Sequence, residues 1–569
     1  MRQLRTTVFW PTFLLLLMAG IMSMVNQTAL IQDATRIHRW ILSQFGWLFS
    51  LGGVTFLGVC VWVYFSPLGT LRIGGRNATP LLSKWEWFSV TLCTTIAIGI
   101  LFWATAEPLY HLLYPPQGLA LEPATGKAAR FALSTMFMHW SVIPYAIYTL
   151  PAVLFAFAYY NMKQPFSLHS TLKPLMGLGV KSRSRWGLGI GLGSGMGSEL
   201  DSRVGSGRET GLASFIDSLC LFALVAGMAA SLGTGILTLA GGLNHLWGVP
   251  SSVGVWALIG IAVVLSFCLS SISGIQRGIR VLSNFNAAIL VGLMVFVFVL
   301  GPTVYMLGLG VESLGEFLDQ FFSRSLMTGT VQGDLWPQQW TLFYWANWLA
   351  WAPITALFLG RISLGYTVRQ MLMVNLVLPS VFAILWMGVF SGTTLHMELV
   401  QHLGLGALLQ EKGPEAVIYA FLSRFPLAGL VIPFFLFTCF LSYVTAADSN
   451  TTAMGALSVK HISVERPEAG FGIKFLWGAM VGLIAWVMIG FAGGIEGVKM
   501  LSILGGFPVL LLLWVMVPAL VRVGRNPHKY NWVDSRLMRA DRVFPDSPPT
   551  EGSLDPLQAE TETPPSSWN

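Results

Sequence analysis

Charge is scarce in this sequence: Asp, Glu, Lys and Arg make up 10% of 569 residues, against 54% hydrophobic residues. Soluble domains carry roughly 25% charged residues. Too little polar material is therefore present to cover a water-facing surface, which excludes a soluble globular enzyme. Cysteine is sparse as well. Cys60, Cys93, Cys220, Cys268 and Cys439 all lie in apolar stretches, with no CxxC pair and no histidine at metal-ligand spacing. This argues against disulfides and structural zinc. No GxSxG, HExxH or GxxxxGK(S/T) pattern occurs, so an enzyme reading lacks a nucleophile, a metal site and a phosphate cradle. The 60 glycines and 29 prolines follow no triplet period, which excludes collagen.

What the chain has is apolar length. At about 20 residues per membrane span, the runs at 8–28, 43–65, 87–110, 132–160, 214–243, 253–272, 284–308, 340–360, 371–393, 427–447, 472–494 and 498–521 predict twelve transmembrane helices. The first run, behind Arg2 and Arg5, resembles a signal peptide. It has no small-x-small cleavage site and further spans follow at once, so it reads as a retained helix. With both termini cytoplasmic, about three quarters of the 33 basic residues fall in inside segments, as the cost of translocating positive charge requires. The net charge of +7 is then a membrane-surface feature. Its residues are scattered among loops and form no folded basic domain, so nucleic-acid binding is not expected. The glycine-rich loop at 161–213 reads as a flexible or amphipathic linker. The tail after Phe544 is proline-rich, acidic and too polar to fold alone. Its basic juxtamembrane stretch (Arg522, Arg525, Lys529, Arg536, Arg539, Arg542) suits either anionic lipid headgroups or plain solvation.

Ionisable groups inside membrane spans are costly and point to function. Here they are few: Glu107 at the end of the third span, His139 in the fourth, Asp217 near the start of the fifth and Asp448 at the end of the tenth. Each reads as isolated, and Asp448 as a helix-end cap. Two aromatic clusters say more. FMHWSVIPYAIY carries Trp140, Tyr145 and Tyr148, and WTLFYWANWLAWAP carries Trp345, Trp348 and Trp351 at triplet spacing, read as one stripe, before Pro353. Such rings suit two readings equally, ordinary helix packing or a cage for a quaternary ammonium. Cation–π attraction in such a cage is worth about 2 kcal/mol or more when desolvated. Small residues Ala97, Gly99 and Ala104 in the third span, and Ala346, Ala350 and Pro353 in the eighth, suggest interrupted helices five spans apart, as inverted repeats require.

At FWATAEPLYH (102–111), FMHWSVIPYAIY (137–148), SISGIQRGIRVLSNFN (271–286), FYWANWLAWAPITALFLGRIS (343–363) and VTAADS (444–449), the chain resembles the betaine/choline/carnitine transporter family. The resemblance implies an all-α polytopic membrane protein with a leucine-transporter-like inverted five-plus-five repeat behind two extra helices. On that plan residues 1–84 hold the two extra helices and 85–310 the first repeat. Residues 311–522 hold the second, opening with an amphipathic segment at 311–326, and 523–569 form the tail. It further implies a homotrimer in the cell membrane that takes up a small onium solute such as glycine betaine by alternating access. The implied aromatic box is Trp140, Tyr145, Tyr148 and Trp348, with Trp345 and Trp351 flanking it and Ala97 of the third span at the substrate. Tyr145 stands where several members have tryptophan, and Asn347 replaces a common tryptophan. Sodium-coupled members pair an unwound third span with a Thr-Ser pair in the tenth. The corresponding positions here are Cys93, Ile96, Ser442, Thr445 and Ala446. Ala446 supplies no hydroxyl, so a sodium site is weakened unless water or Ser442 substitutes. Sodium coupling is the expectation, with proton coupling or exchange the alternative, and a transporter-like sensor the rival from another class.

Overall fold

The structure is a computed structural model that describes residues 4–95, 99–176, 197–272, 276–460 and 470–534. It is built of helices: α1 (Thr6–Val25), α2 (Gln27–Phe65), α3 (Lys84–Thr95), α4 (Gly99–Leu113), α5 (Gly126–Trp140), α6 (Val142–Ala156), α7 (Gly197–Trp247), α8 (Val253–Ile272), α9 (Gln276–Leu300) and α10 (Thr303–Asp319). There follow α11 (Phe321–Ser325), α12 (Trp336–Gln339), α13 (Thr341–Ile362), α14 (Val368–Leu372), α15 (Leu378–Leu399), α16 (Leu405–Lys412), α17 (Pro414–Leu422), α18 (Ala428–Ser458), α19 (Phe471–Phe491) and α20 (Ile495–Arg525). Among the described residues, nine helices are long and apolar enough to cross a membrane, and two bent pairs pass the same test together. With the shorter apolar helix Val253–Cys268 they account for each of the twelve expected spans. The chain is an all-α polytopic membrane protein.

Where helices break, the local sequence gives the reason. The third span is two helices, α3 and α4, meeting at 55° across residues 96–98. Within α4, Pro108 lacks the N–H that would bond the Ala104 carbonyl. Ser391 Oγ of α15 supplies the missing donor at 2.7 Å. The fourth span breaks between α5 and α6 at Ser141 (φ −116°, ψ −120°). A proline ring clashes with the carbonyl four residues back, and for Pro144 that residue is Trp140, the last of α5. The seventh span ends at Gly301–Pro302, where α9 and α10 meet at 109°. The eighth span departs from expectation, because α13 stays helical through Pro353. Asp448 also departs: α18 continues to Ser458, so this carboxylate lies inside a helix and not at its end.

Of the nine spans that are not bent pairs, the fourth and eighth are the most enclosed, with 94% and 83% of their most apolar stretch buried, against 33% in α1. Small residues let backbones meet there. A Cβ on Gly506 of α20 would lie 2.2 Å from the Ala346 carbonyl oxygen of α13. Asn347 turns to the same helix, accepting from Ser502 Oγ at 3.1 Å. Asp217 is not isolated. It is fully buried in α7, pairs with Arg5 Nη2 at 2.6 Å and accepts from Ser167 Oγ at 2.8 Å. The Arg5 backbone N–H reaches the Ser458 carbonyl (2.9 Å) at the end of α18.

Candidate functional site

The α5–α6 break creates the site. A helix leaves its last four carbonyls without partners, and two of those in α5 are taken from outside the ladder. Ser141 Oγ bonds the Phe137 carbonyl, and Trp348 Nε1–H of α13 donates to the His139 carbonyl at 3.2 Å. This second bond fixes the Trp348 indole beside three other rings. Its centroid lies 5.7 Å from Trp140 (81° between planes), 5.7 Å from Tyr145 (57°) and 5.1 Å from Tyr148 (61°). All four side chains are buried. Trp140 is fixed in turn: its Nε1–H donates to Glu107 Oε2 at 2.8 Å. A Cβ on Gly99, the first residue of α4, would meet its far edge at 2.8 Å. The Tyr145 hydroxyl is buried beside Thr95, whose own hydroxyl donates to the Thr91 carbonyl at 2.9 Å, and has no partner of hydrogen-bonding geometry.

Trp345 and Trp351 part from this group. Each three-residue step on a helix falls about 60° short of a full turn, so positions six apart diverge by about 120° and cannot share one stripe. Trp345 is fully buried with its indole nitrogen near Gly53 of α2, and it stands edge-on to His139 at 6.1 Å. Trp351 faces Gly227 of α7. Ala97 and Ile96 lie outside the described residues.

The ionisable groups of the third and fourth spans, read from sequence as isolated, form one buried cluster. Glu107 Oε1 accepts from His139 Nδ1 at 2.7 Å and from His111 Nε2 at 3.0 Å. Its Oε2 accepts from Trp140 Nε1 and from the Tyr344 hydroxyl. His139 Nε2 faces Thr341 Oγ1 at 3.0 Å, while His111 Nδ1 is buried without a partner. The ligand atoms of Glu107, His111 and His139 lie within 4.8 Å of one another, a spacing open to a metal ion. An ionised Glu107 can accept from His139, His111, Trp140 and Tyr344 together, so the same geometry is also a four-donor carboxylate cradle. His111 is the i,i+4 neighbour of Glu107 on α4, a spacing that was available in the sequence.

Beyond the cluster, Arg324 of α11 is buried over the Phe131 ring (4.4 Å) and bonds Ser134, Thr135 and Glu316. Burial pulls its guanidinium down to about 10 while Glu316 pulls it back, so it stays charged at neutral pH. At the N-terminal end of α13, Lys499 Nζ sits 4.3 Å from the Trp340 centroid and 3.1 Å from Glu496.

The expected sodium ligands in the tenth span have partners of their own. Ser442 Oγ exchanges hydrogen bonds with the Asn286 side chain (3.1 and 3.3 Å). Thr445 Oγ1 donates to the Leu441 carbonyl at 2.7 Å, and the Ala446 carbonyl accepts from Asn450 Nδ2 at 2.7 Å. Cys93 of α3 bonds the Ala287 backbone, next to Asn286. Helix α9 thus links α3 to α18. The fit to sodium, which prefers several hard oxygens, is partial: Ser442 and Thr445 supply hydroxyls, and Cys93 and Ala446 only carbonyls.

Comparison with known proteins gives a match to the model of the betaine/carnitine/choline family of transporters over residues 7–190 and 196–529. A glycine betaine transporter of Bacillus subtilis (strain 168) is 27% identical over 90% of this chain and 93% of its own. An ectoine/hydroxyectoine transporter of Virgibacillus pantothenticus is 28% identical over 86% and 90%. A high-affinity choline transport protein of Escherichia coli (strain K12) is 27% identical over 85% of this chain and 66% of its own.

Proposed function

The chain belongs to the betaine/carnitine/choline transporter family, and from that premise we propose that it takes up a small methylated onium solute such as glycine betaine by alternating access. The observation that carries this reading is the convergence of Trp140, Tyr145 and Tyr148 on Trp348. A quaternary ammonium has no N–H to donate. Ring faces therefore suit it better than carboxylates, and stacked indoles and phenols hold it by their quadrupoles. Glycine betaine and choline, named for the relatives, both carry that group.

Trp348→Ala removes the ring common to all three contacts. The expected result is loss of betaine binding by about 30-fold or more, the equivalent of about 2 kcal/mol, with normal membrane expression. Retained binding would remove the cage. Binding by the intact protein without concentrative uptake into proteoliposomes would instead favour a sensor that keeps the transporter fold.

We propose sodium as the driving ion, held where α3 and α18 meet α9, on the strength of the family resemblance. Uptake should then collapse when external sodium is replaced by potassium. Unchanged uptake would transfer the driving role to protons or to exchange. The same resemblance supports a homotrimer with cytoplasmic termini. The apolar residues that α10 leaves exposed, Val304, Leu307, Val311 and Leu318, suit a lipid or subunit contact.

A further inference from the structure

The box rests on a buried ionisable cluster that the cage chemistry does not use. Trp140 is bonded to the Glu107 carboxylate, and Trp348 to the backbone of His139. With Glu107 ionised and both histidines neutral, the cluster carries one net negative charge, one indole away from the box. One added proton makes it neutral. His139 can take that proton without losing a partner. Its Nδ1–H already donates to Glu107, and the Thr341 hydroxyl opposite Nε2 can turn from donor to acceptor. The groups that face the cluster from neighbouring elements are Tyr344 of α13, which donates to Glu107, and Arg324 of α11, whose positive charge acts on both histidines. Glu316 of α10 offsets Arg324. Glu415 of α17 and the Glu496–Lys499 pair of α20 lie toward Tyr110, next to His111.

We propose that Glu107, His111 and His139 form a proton site linked antagonistically to the box, so that an onium ligand binding there expels a proton from the cluster. This rests on the transport reading above. A fixed cation in the box and a proton in the cluster repel through a poorly solvated ring. At an effective dielectric near 20, two such charges about 10 Å apart disfavour double occupancy by about tenfold. The step is a simple exchange: a cluster N–H bond breaks, the proton passes to bulk buffer, and the onium charge replaces it. Linkage fixes the sign. Acid fills the cluster and weakens onium binding, and raising the pH strengthens it.

The test is calorimetric titration of the purified full-length protein with glycine betaine between about pH 4 and 8, reaching below the range in which histidine ordinarily changes charge because the cluster is fully buried. It is repeated in buffers of different ionisation enthalpy. The inference expects proton release on binding and affinity that rises about tenfold across the range. Glu107→Gln should give weaker, pH-independent binding, and Glu107→Asp should restore the pH profile. Binding with no proton release by the unmodified protein would overturn the proton site and leave the box intact. Absence of betaine, choline and ectoine binding at every pH would instead defeat the transport reading. The measurement on the unmodified protein decides the matter even if a substituted chain misfolds.

Discussion

At the scale of single residues, the most informative side chain is Tyr145. Burial of its hydroxyl without a partner is costly, on the order of 1–3 kcal/mol, unless a ligand supplies an acceptor. If a betaine carboxylate is that acceptor, Tyr145→Phe should weaken glycine betaine about tenfold while leaving tetramethylammonium, which has no acceptor, unchanged. Parallel competition assays read both, and an equal loss for the two ligands would show that the hydroxyl does not act through the carboxylate. The four box positions were legible in the sequence because they fall in two short aromatic motifs. The Glu107 cradle was legible only in part. His111 is four residues from Glu107, but His139 is 32 away and Tyr344 is 237 away. No local pattern announces contacts that the packing of α4, α5 and α13 creates.

At the scale of elements, two prolines do opposite things for the same physical reason. Pro108 leaves a carbonyl that a neighbouring helix satisfies, so α4 continues. Pro144 stops α5 at Trp140, and the break that follows leaves the neighbouring His139 carbonyl to anchor Trp348. Pro144→Ala restores the missing N–H and allows the ladder to close across Ser141. Thermal stability should rise, while betaine affinity falls about tenfold as Trp348 loses its anchor. Unchanged affinity in a calorimetric titration would show that the break does not position the box. The sequence reading placed an interruption in the third span correctly, because small residues cluster there. It expected a second one at Pro353, and none exists: α13 is wedged among α6, α7 and α20, and stays helical past the proline. On the same helix, the single stripe expected of Trp345, Trp348 and Trp351 does not form, since triplet spacing drifts around the axis.

At the scale of the molecule, the all-α polytopic class and the family were plain in the sequence, because apolar runs of spanning length and several separated motifs agree on them. The closure of the bundle was not. Arg5, read only as a positive charge ahead of the first helix, reaches from the N-terminus to Asp217 on α7 and to the end of α18. The molecule thereby ties its peripheral first helix to the spans that flank the centre, and the aromatic box lies deep among the most enclosed helices. The central claim is that those rings select a fixed positive charge. Competition for glycine betaine uptake into proteoliposomes by 3,3-dimethylbutanoate, the same shape with carbon in place of the cationic nitrogen, tests it most directly. The cage predicts competition at least about 30-fold weaker than by unlabelled betaine, a difference of about 2 kcal/mol. Equal competition by the two compounds would mean that the site reads shape and greasiness alone, and would contradict the account.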